Sequence, residues 1–199
     1  MVDWSEISSI AISKIFESFE KKNNADVIIH ATQACAIKIT DLHADIEPKE
    51  HCAILYAPVP QHVNGACLFL FKKEQALTLC DLVAKRKLGT TTQFEGQDIA
   101  NYSEIGYIFI NTYRDYLFGK EAKAGSAYLP SFGLGVFELI VAQIVDEMAR
   151  NEQVQGIDHP EVIDVVITFI TDHKTIKGHL VIMLNEDSMK IVKQQKNIM

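Results

Sequence analysis

The sequence predicts a single α/β (α+β) domain built by internal duplication, in which two helix-strand-strand-helix repeats related by a pseudo-twofold axis form one sheet with packed helices. Three observations predict it. Amphipathic helical periodicity alternates with short β-branched runs along the chain. A polar stretch, Gly89–Thr92, divides the chain near its middle and is expected to be flexible. Each half also contains a glycine-led apolar strand followed by a turn and a helix, GACLFLFKKEQALTLCDLV in the first and GHLVIMLNEDSMKIVKQQ in the second.

The first repeat, about residues 1–88, begins with a predicted helix. Its apolar residues recur at helical spacing, and Asp3 with Glu6 resembles a capping box. The run of predicted elements is a helix over Trp4–Lys22, two short strands over Ala25–His30 and Ala36–Ile39, paired strands over His51–Val59 and Gly65–Phe71, and a helix over Lys73–Lys85.

The second repeat, about residues 97–199, follows the same order. Asp98 is a candidate N-cap and Gly119 a candidate C-terminal stop for its first helix. The predicted elements are a helix from Asp98 to Phe118, a short extended segment over Ala124–Pro130, a helix over Leu134–Arg150, strands over Val162–Thr171 and Gly178–Leu184, and a closing helix over Asp187–Gln194.

Composition excludes several classes of function. The chain has 19 Lys+Arg against 26 Asp+Glu, a net charge of -7, and its densest basic run is Lys85-Arg86-Lys87, so nucleic acid is not an expected partner. The longest apolar stretches fall short of the ~20 residues that span a bilayer. The N-terminus lacks the basic and apolar regions of a signal peptide. We therefore expect a cytoplasmic protein that does not associate with a membrane.

The cysteines and histidines lack the spacing of metal sites. The four cysteines are expected to be small core residues in a reducing compartment; they are Cys35, Cys52, Cys67 and Cys80. The seven histidines include no HxH or HExxH pattern; they are His30, His43, His51, His62, His159, His173 and His179. We expect no intrinsic metal or organic cofactor.

One helix carries a motif with a long-range match. Glu104 is followed by Ile105, Gly106 and Tyr107, and twenty-two residues separate Tyr107 from Pro130. This spacing resembles the signature of the CheC/CheX/FliY chemotaxis phosphatases, in which a Ser or Asp, an acid and an Asn on one helix precede a distant Pro. With the glycine-led segments of both halves, the resemblance extends along nearly the whole chain. It implies a CheC-like fold for residues 1–199.

The resemblance also implies a role in two-component signalling. In such a protein the helix lies across the active site of a phosphorylated, CheY-like response regulator, where the Glu pairs with a receiver lysine and the Asn orients water for attack on the aspartyl phosphate. Residues three apart share a helix face, so Glu104 and Tyr107, the candidate catalytic pair, are expected to point at the same partner. The receiver would hold the magnesium. Other chemotaxis proteins or a homodimer are further possible partners.

The sequence differs from the family pattern at two positions of the catalytic motif. Ala100 stands in place of the Ser or Asp, and Tyr107 in place of the Asn. A phenol is larger than an amide and has one OH, so it is better suited to docking than to orienting water. Asn111 lies two turns beyond Glu104, about 10 Å along the helix, and is a poor substitute. The corresponding first-half helix offers Glu6 and Ser9, again without the Asn.

Each of these candidates also has a structural interpretation. Glu104 can be a solvated helix residue, Tyr107 a half-buried core aromatic, and Glu6 and Ser9 ordinary first-turn residues. Three functions therefore remain open. They are a receiver-docking protein with weak or lapsed phosphatase activity, a fully active CheY-phosphate phosphatase, and a small-ligand sensor that binds no receiver. The receiver-binding candidates are Glu104, Tyr107, Pro130, Asn111, Glu6 and Ser9.

Overall fold

The structure, a computed structural model, describes residues 3–23, 27–38, 46–59, 65–119, 130–150 and 161–197. Helices and strands follow one another in this order: α1 (Trp4–Asn23), β1 (Ile28–Lys38), β2 (His51–Pro58), β3 (Gly65–Lys72), α2 (Lys73–Val83), α3 (Gly96–Phe118), β4 (Ser131–Val136), α4 (Phe137–Arg150), β5 (Glu161–Ile170), β6 (Thr175–Leu184) and α5 (Glu186–Asn197). This is the predicted α+β class.

The six strands form one antiparallel sheet in the order β1-β5-β6-β3-β2-β4. The two strands that were predicted to be equivalent, β3 and β6, pair at its centre. If β1, β2 and β3 are exchanged with β4, β5 and β6, respectively, the strand order becomes the same order read from the opposite edge of the sheet. This order is what a pseudo-twofold axis through the central pair would produce.

Two glycines on the central strands are closely packed against the other strand. A Cβ at Gly65 would lie 2.1 Å from the backbone oxygen of Met183 and 2.8 Å from Cδ2 of Leu184, and one at Gly178 would lie 2.2 Å from Cζ of Phe71. Gly178 and Leu184 follow Gly65 and Phe71 by the same 113 positions. The duplication itself stays a prediction, which this likeness and the strand order support.

The sheet separates two apolar layers. On one face, called here the helical face, α1, α2, α3 and α5 cover strand residues such as Phe69 and Phe71. On the other, called here the second face, Leu68 and Leu70 pack with Phe137 of α4. The alternation along β3 follows the strand period of two, which sends successive side chains to opposite faces.

Two predicted boundaries were wrong. The separate short strands of the first half are one strand, β1, which pairs with β5 along its length and has an irregularity between Ala31 and Gln33. Residues 131–136 form β4, paired with β2, although the helix was predicted to begin at Leu134. The alternation of Phe132, Leu134 and Val136 with small residues suits an edge strand. The extended segment expected over residues 124–129 lies outside the described residues.

The stretch Gly89–Thr92, predicted to be a flexible boundary between the halves, lies between α2 and α3 and is bound to a buried side chain. The backbone N–H groups of Gly89, Thr90 and Thr91 donate to Oδ2 of buried Asp81 at 2.8, 2.9 and 3.2 Å. We call this arrangement the Asp81 clasp. Because three consecutive amides are bound to one carboxylate, the connection between the halves is fastened to α2.

The ends of α3 differ slightly from the prediction. The helix begins at Gly96, so Asp98 lies in its first turn and not at the N-cap; its Oδ2 accepts a hydrogen bond from the N–H of Glu95 at 3.2 Å. Asp98 also forms an ion pair with Arg86. Gly119 ends the helix as predicted, with a φ of 81° that favours glycine.

Three of the four cysteines are core residues, as predicted. Cys52, Cys67 and Cys80 are buried, and burial raises the pKa of each thiol to about 12. Cys35 differs because it is only half-buried, on strand β1 at the sheet edge. The three raised pKa values leave those thiols protonated and unreactive near neutral pH.

Candidate functional site

Close packing of Gly106 against the sheet fixes the orientation of the motif on α3. A Cβ at this position would lie 2.2 Å from Cδ1 of Leu55 and 2.9 Å from Cδ1 of Phe69. Only a residue without a side chain lets the helix approach β2 and β3 this closely. Since Ile105 and Gly106 face inward, the residues on either side of them, Glu104 and Tyr107, face outward.

The outward side of α3 is a continuous exposed ridge. Ala100, Glu104 and Tyr107 are exposed, and Asn111 follows at partial exposure; we call these four residues the α3 stripe. Their spacing of four, three and four places them on one side of a helix. Tyr107 is 38% exposed, so part of its ring is accessible to a partner.

Asn111 does not replace the missing amide. Its Nδ2 donates to the carbonyl oxygen of Tyr107 at 2.9 Å, along the same helix. The side chain is therefore bound to its own backbone and is directed towards the preceding turn. As expected from its distance along α3, it is a poor candidate for orienting water next to Glu104.

Two buried tyrosines fasten the inner side of α3. The Tyr102 OH donates to the carbonyl oxygens of Ala53 at 2.8 Å and Phe69 at 3.3 Å, and the Tyr113 OH lies 2.6 Å from Oγ of Ser8 on α1. Burial raises the pKa of both phenols above the usual value of 10, so both stay protonated at neutral pH. These contacts hold the α3 stripe at a fixed height above the sheet.

Helix α1 repeats the burial pattern of α3. Its fully inward residues are Trp4, Ser8, Ala11, Ile12, Ile15 and Phe19, and the residues 98 positions later are buried in α3: Tyr102, Gly106, Phe109, Ile110, Tyr113 and Leu117. In this alignment Glu6 and Ser9 occupy the positions of Glu104 and Tyr107, and both are exposed. The N–H of Glu6 donates to Oδ1 of Asp3 at 3.1 Å, so Asp3 caps the helix.

Pro130 lies immediately before β4. Two residues on, the Phe132 ring is 6.0 Å from that of Tyr102 and 5.3 Å from that of Phe94, measured between centroids. The start of β4 is thus packed beside the inner side of α3. Pro130 itself is partly exposed.

Sequence reasoning missed a polar pair on the second face. His179 of β6 and Asp164 of β5 are buried, with Nδ1 3.0 Å from Oδ1 and 3.2 Å from Oδ2 of the carboxylate. Asp164 interrupts the apolar run from Val162 to Ile167, which is the signal that could have identified it. The partner could not be identified in this way, because it depends on strand register.

The described parts of the chain contain no group of three or more His, Cys, Asp or Glu side chains placed to hold a metal ion. They also contain no helix with the length and apolar character needed to cross a membrane.

Comparisons with known proteins identify the fold. No protein-family model and no curated protein matches the sequence. Among solved structures, Thermotoga maritima FliY is 13% identical, with a TM-score of 0.64 over 97% of this chain and 93% of that one. The FliM middle domain from H. pylori is 11% identical, with a TM-score of 0.56 over 94% and 92%. A chain in the FliG–FliM complex from H. pylori is also 11% identical, with a TM-score of 0.54 over 91% and 90%. As the motif resemblance implied, this chain has the CheC/CheX/FliY-like fold.

Proposed function

We propose that this protein docks a phosphorylated, CheY-like receiver through the α3 stripe and has weak or lapsed aspartyl-phosphate phosphatase activity. The observation that supports this is the outward orientation of Glu104 and Tyr107, fixed by the close packing of Gly106. An acid and a large aromatic one turn apart on a rigid ridge are suited to contact a folded partner.

In the proposed mechanism this chain positions the reacting groups and takes little part in making or breaking bonds. Glu104 would pair with a receiver lysine and hold α3 across the phosphorylated aspartate. Tyr107 would lie where the family has its water-orienting amide. Its ring contributes contact area, but its single OH cannot donate and accept as an amide does. We therefore place this chain nearer to binding than to catalysis.

The proposed function requires no cofactor bound by this chain itself. The magnesium ion that phosphoryl chemistry requires would be held by the receiver, and the protein would act in the cytoplasm. The similarity to a chain in a FliG–FliM complex raises other chemotaxis proteins as candidate partners. A second copy of the chain is another candidate.

Glu104→Lys tests the docking surface. It replaces attraction to the receiver lysine by repulsion, so we expect it to weaken receiver binding by about 2–5 kcal/mol. Affinity would be measured against a panel of phosphorylated receivers from the same genome. Glu138→Lys is the matched control, because Glu138 is an exposed first-turn residue of α4 on the second face. Equal loss of affinity in both variants, or no loss in either, would contradict the proposed surface.

Tyr107→Asn separates lapsed from active phosphatase. It restores the family amide, so under the proposal it raises the rate of phosphate loss even if affinity falls. Tyr107→Phe removes only the OH and is the control for contact area. If the native protein already accelerates dephosphorylation and Tyr107→Asn changes the rate little, the fully active phosphatase is the better description. If no receiver binds, the small-ligand sensor remains.

A further inference from the structure

The pairing register of the strands places several polar side chains next to one another on one half of the second face. Gln33, Val166 and His179 stand opposite one another on β1, β5 and β6, and Thr168 pairs with Lys177 in the next row towards the sheet end. Paired residues share a face, so these side chains all point away from α1 and α3. The apolar layer under α4 occupies the rest of this face.

His179 is directed into this polar region by a buried carboxylate. It is 6% exposed, and its Nδ1 is bound to Asp164. Its Nε2 makes no hydrogen bond with any residue that the structure describes. A histidine held in this way has a fixed ring orientation and one nitrogen left for a ligand. A polar side chain this buried usually has its hydrogen bonds satisfied.

His179 lines a cavity of about 620 Å³. This volume is within the range of small-molecule sites. The polar lining comes from four elements and comprises Thr32, Gln33, Lys72, Gln75, Thr175, Lys177 and His179. Ile46 and Val166 add apolar surface. A site of this composition offers several hydrogen-bond donors beside a hydrophobic wall.

Among the described residues, the two lysines that line the cavity differ in their acidic partners. Lys72 is 2.8 Å from Glu50, and His179 is bound to Asp164. Lys177, at the exposed rim, forms no ion pair with the carboxylates that the structure describes; its backbone N–H donates to Oε1 of Gln75 at 3.0 Å. A ligand carrying a negative oxygen would meet this ammonium and the histidine together.

We propose that this cavity binds a small organic molecule that carries an oxyanion, a carboxylate or a phosphate, with its anionic end between Lys177 and His179 and its apolar part against Val166 and Ile46. This site is independent of receiver docking, because it lies on the opposite face of the sheet from the α3 stripe. The polar half-face, the held imidazole and the unpaired rim lysine all support it.

Phenyl phosphate and benzoate are suitable probes, since they share a ring and differ in the anion, and benzyl alcohol is their neutral counterpart. Titration of the full chain would be followed by calorimetry and by the NMR signals of the His179 ring. We expect saturable binding of at least one anion, with the better of the two identifying the oxyanion, and weaker binding of benzyl alcohol. Lys177→Gln should weaken anion binding about tenfold, as for the loss of a charge-assisted contact.

Two further variants make the test specific. His179→Asn keeps an amide near Asp164 but withdraws the atom that reaches the cavity, so it should also weaken binding about tenfold or more. Lys190→Gln removes a charge from exposed α5 and should leave affinity unchanged within about twofold. The proposal fails if neither anion saturates, if benzyl alcohol binds as tightly as both anions, or if Lys190→Gln weakens binding as much as Lys177→Gln. Because Lys177 is exposed, its variant decides the question even if His179→Asn misfolds.

Discussion

At the scale of single residues, Gly106 connects packing with function. It has no side chain where α3 meets β2 and β3, and this fixes which residues of the helix face the solvent. Glu104 and Tyr107 flank the buried Ile105–Gly106 pair and so point outward. A glycine inside a helix costs up to about 1 kcal/mol relative to alanine, which close packing must offset.

We expect Gly106→Ala to destabilise the protein by about 1–2 kcal/mol. The added methyl would lie 2.2 Å from Leu55, and overpacking of about 1–3 kcal/mol outweighs the gain in helix propensity. Denaturant unfolding gives the free energy. Gly96→Ala is the control: nothing lies within 4 Å of its Cβ position at the start of the same helix, so it should be neutral or stabilising. Equal effects of the two variants would show that packing at Gly106 is unimportant.

At the scale of elements, the Asp81 clasp joins the end of α2 to the connection before α3. Arg86 extends it, with its Nε 3.2 Å from Oδ1 of Asp81 and its guanidinium paired with Asp98. Burial raises the pKa of the Asp81 carboxyl, but hydrogen bonds from Thr91, Thr90 and Gly89 outweigh it and leave the pKa below its usual value of 3.8. The charged form is therefore stabilised by folding.

Asp81→Asn should lower the free energy of unfolding at pH 7 by about 2–4 kcal/mol, because the amide NH2 is a donor placed among donors. A carboxyl whose pKa is lowered by folding stabilises the folded state at pH values above its unfolded pKa of 3.8. This stabilisation is lost as the pH falls through the folded pKa. The difference between native protein and variant should thus shrink below about pH 4. Urea unfolding across this range measures it, with exposed Asp172→Asn as the control. A difference that is independent of pH would contradict an ionised Asp81.

At the scale of the whole molecule, the central strands β3 and β6 join the two halves. The predicted order of strand then helix is confirmed for both Gly65–Leu82 and Gly178–Val192. Gly178 leaves room for the Phe71 ring on the other strand, and Gly65 leaves room for the Met183 backbone oxygen and the Leu184 side chain. The contact between the halves therefore depends on a small residue opposite a large one at Gly178 and Phe71.

This packing predicts that substitutions at Gly178 and Phe71 have coupled effects on stability. Gly178→Ala should cost about 1–3 kcal/mol, since its methyl would meet the Phe71 ring at 2.2 Å. In a Phe71→Leu background the cost should fall by at least about 0.5 kcal/mol, which a double-mutant cycle of unfolding free energies would measure. Gly133→Ala on β4 meets nothing within 4 Å and should cost less. Additive effects at Gly178 and Phe71 would indicate that the sheet relaxes around the new methyl.

The sequence by itself determined the local elements and the outward side of α3. Helical periodicity identified α1, α2 and α3, and apolar or alternating runs identified β2, β3, β5 and β6, because burial imposes a period on neighbouring residues. The motif spacing also indicated the fold that the structural comparisons show. Strand β4 was missed where a six-residue edge strand leads directly into α4, since so short a run carries little periodic signal.

Only the tertiary structure decided which distant residues meet. His179 and Asp164 come together through the register of β5 and β6, and a shift of one residue would send each to the other face. The Asp81 clasp and the fit of Gly106 against Leu55 depend in the same way on how helices lie on the sheet. Periodicity records whether a residue is buried. It does not record the partner, because partners are fixed by pairing between segments far apart in the chain.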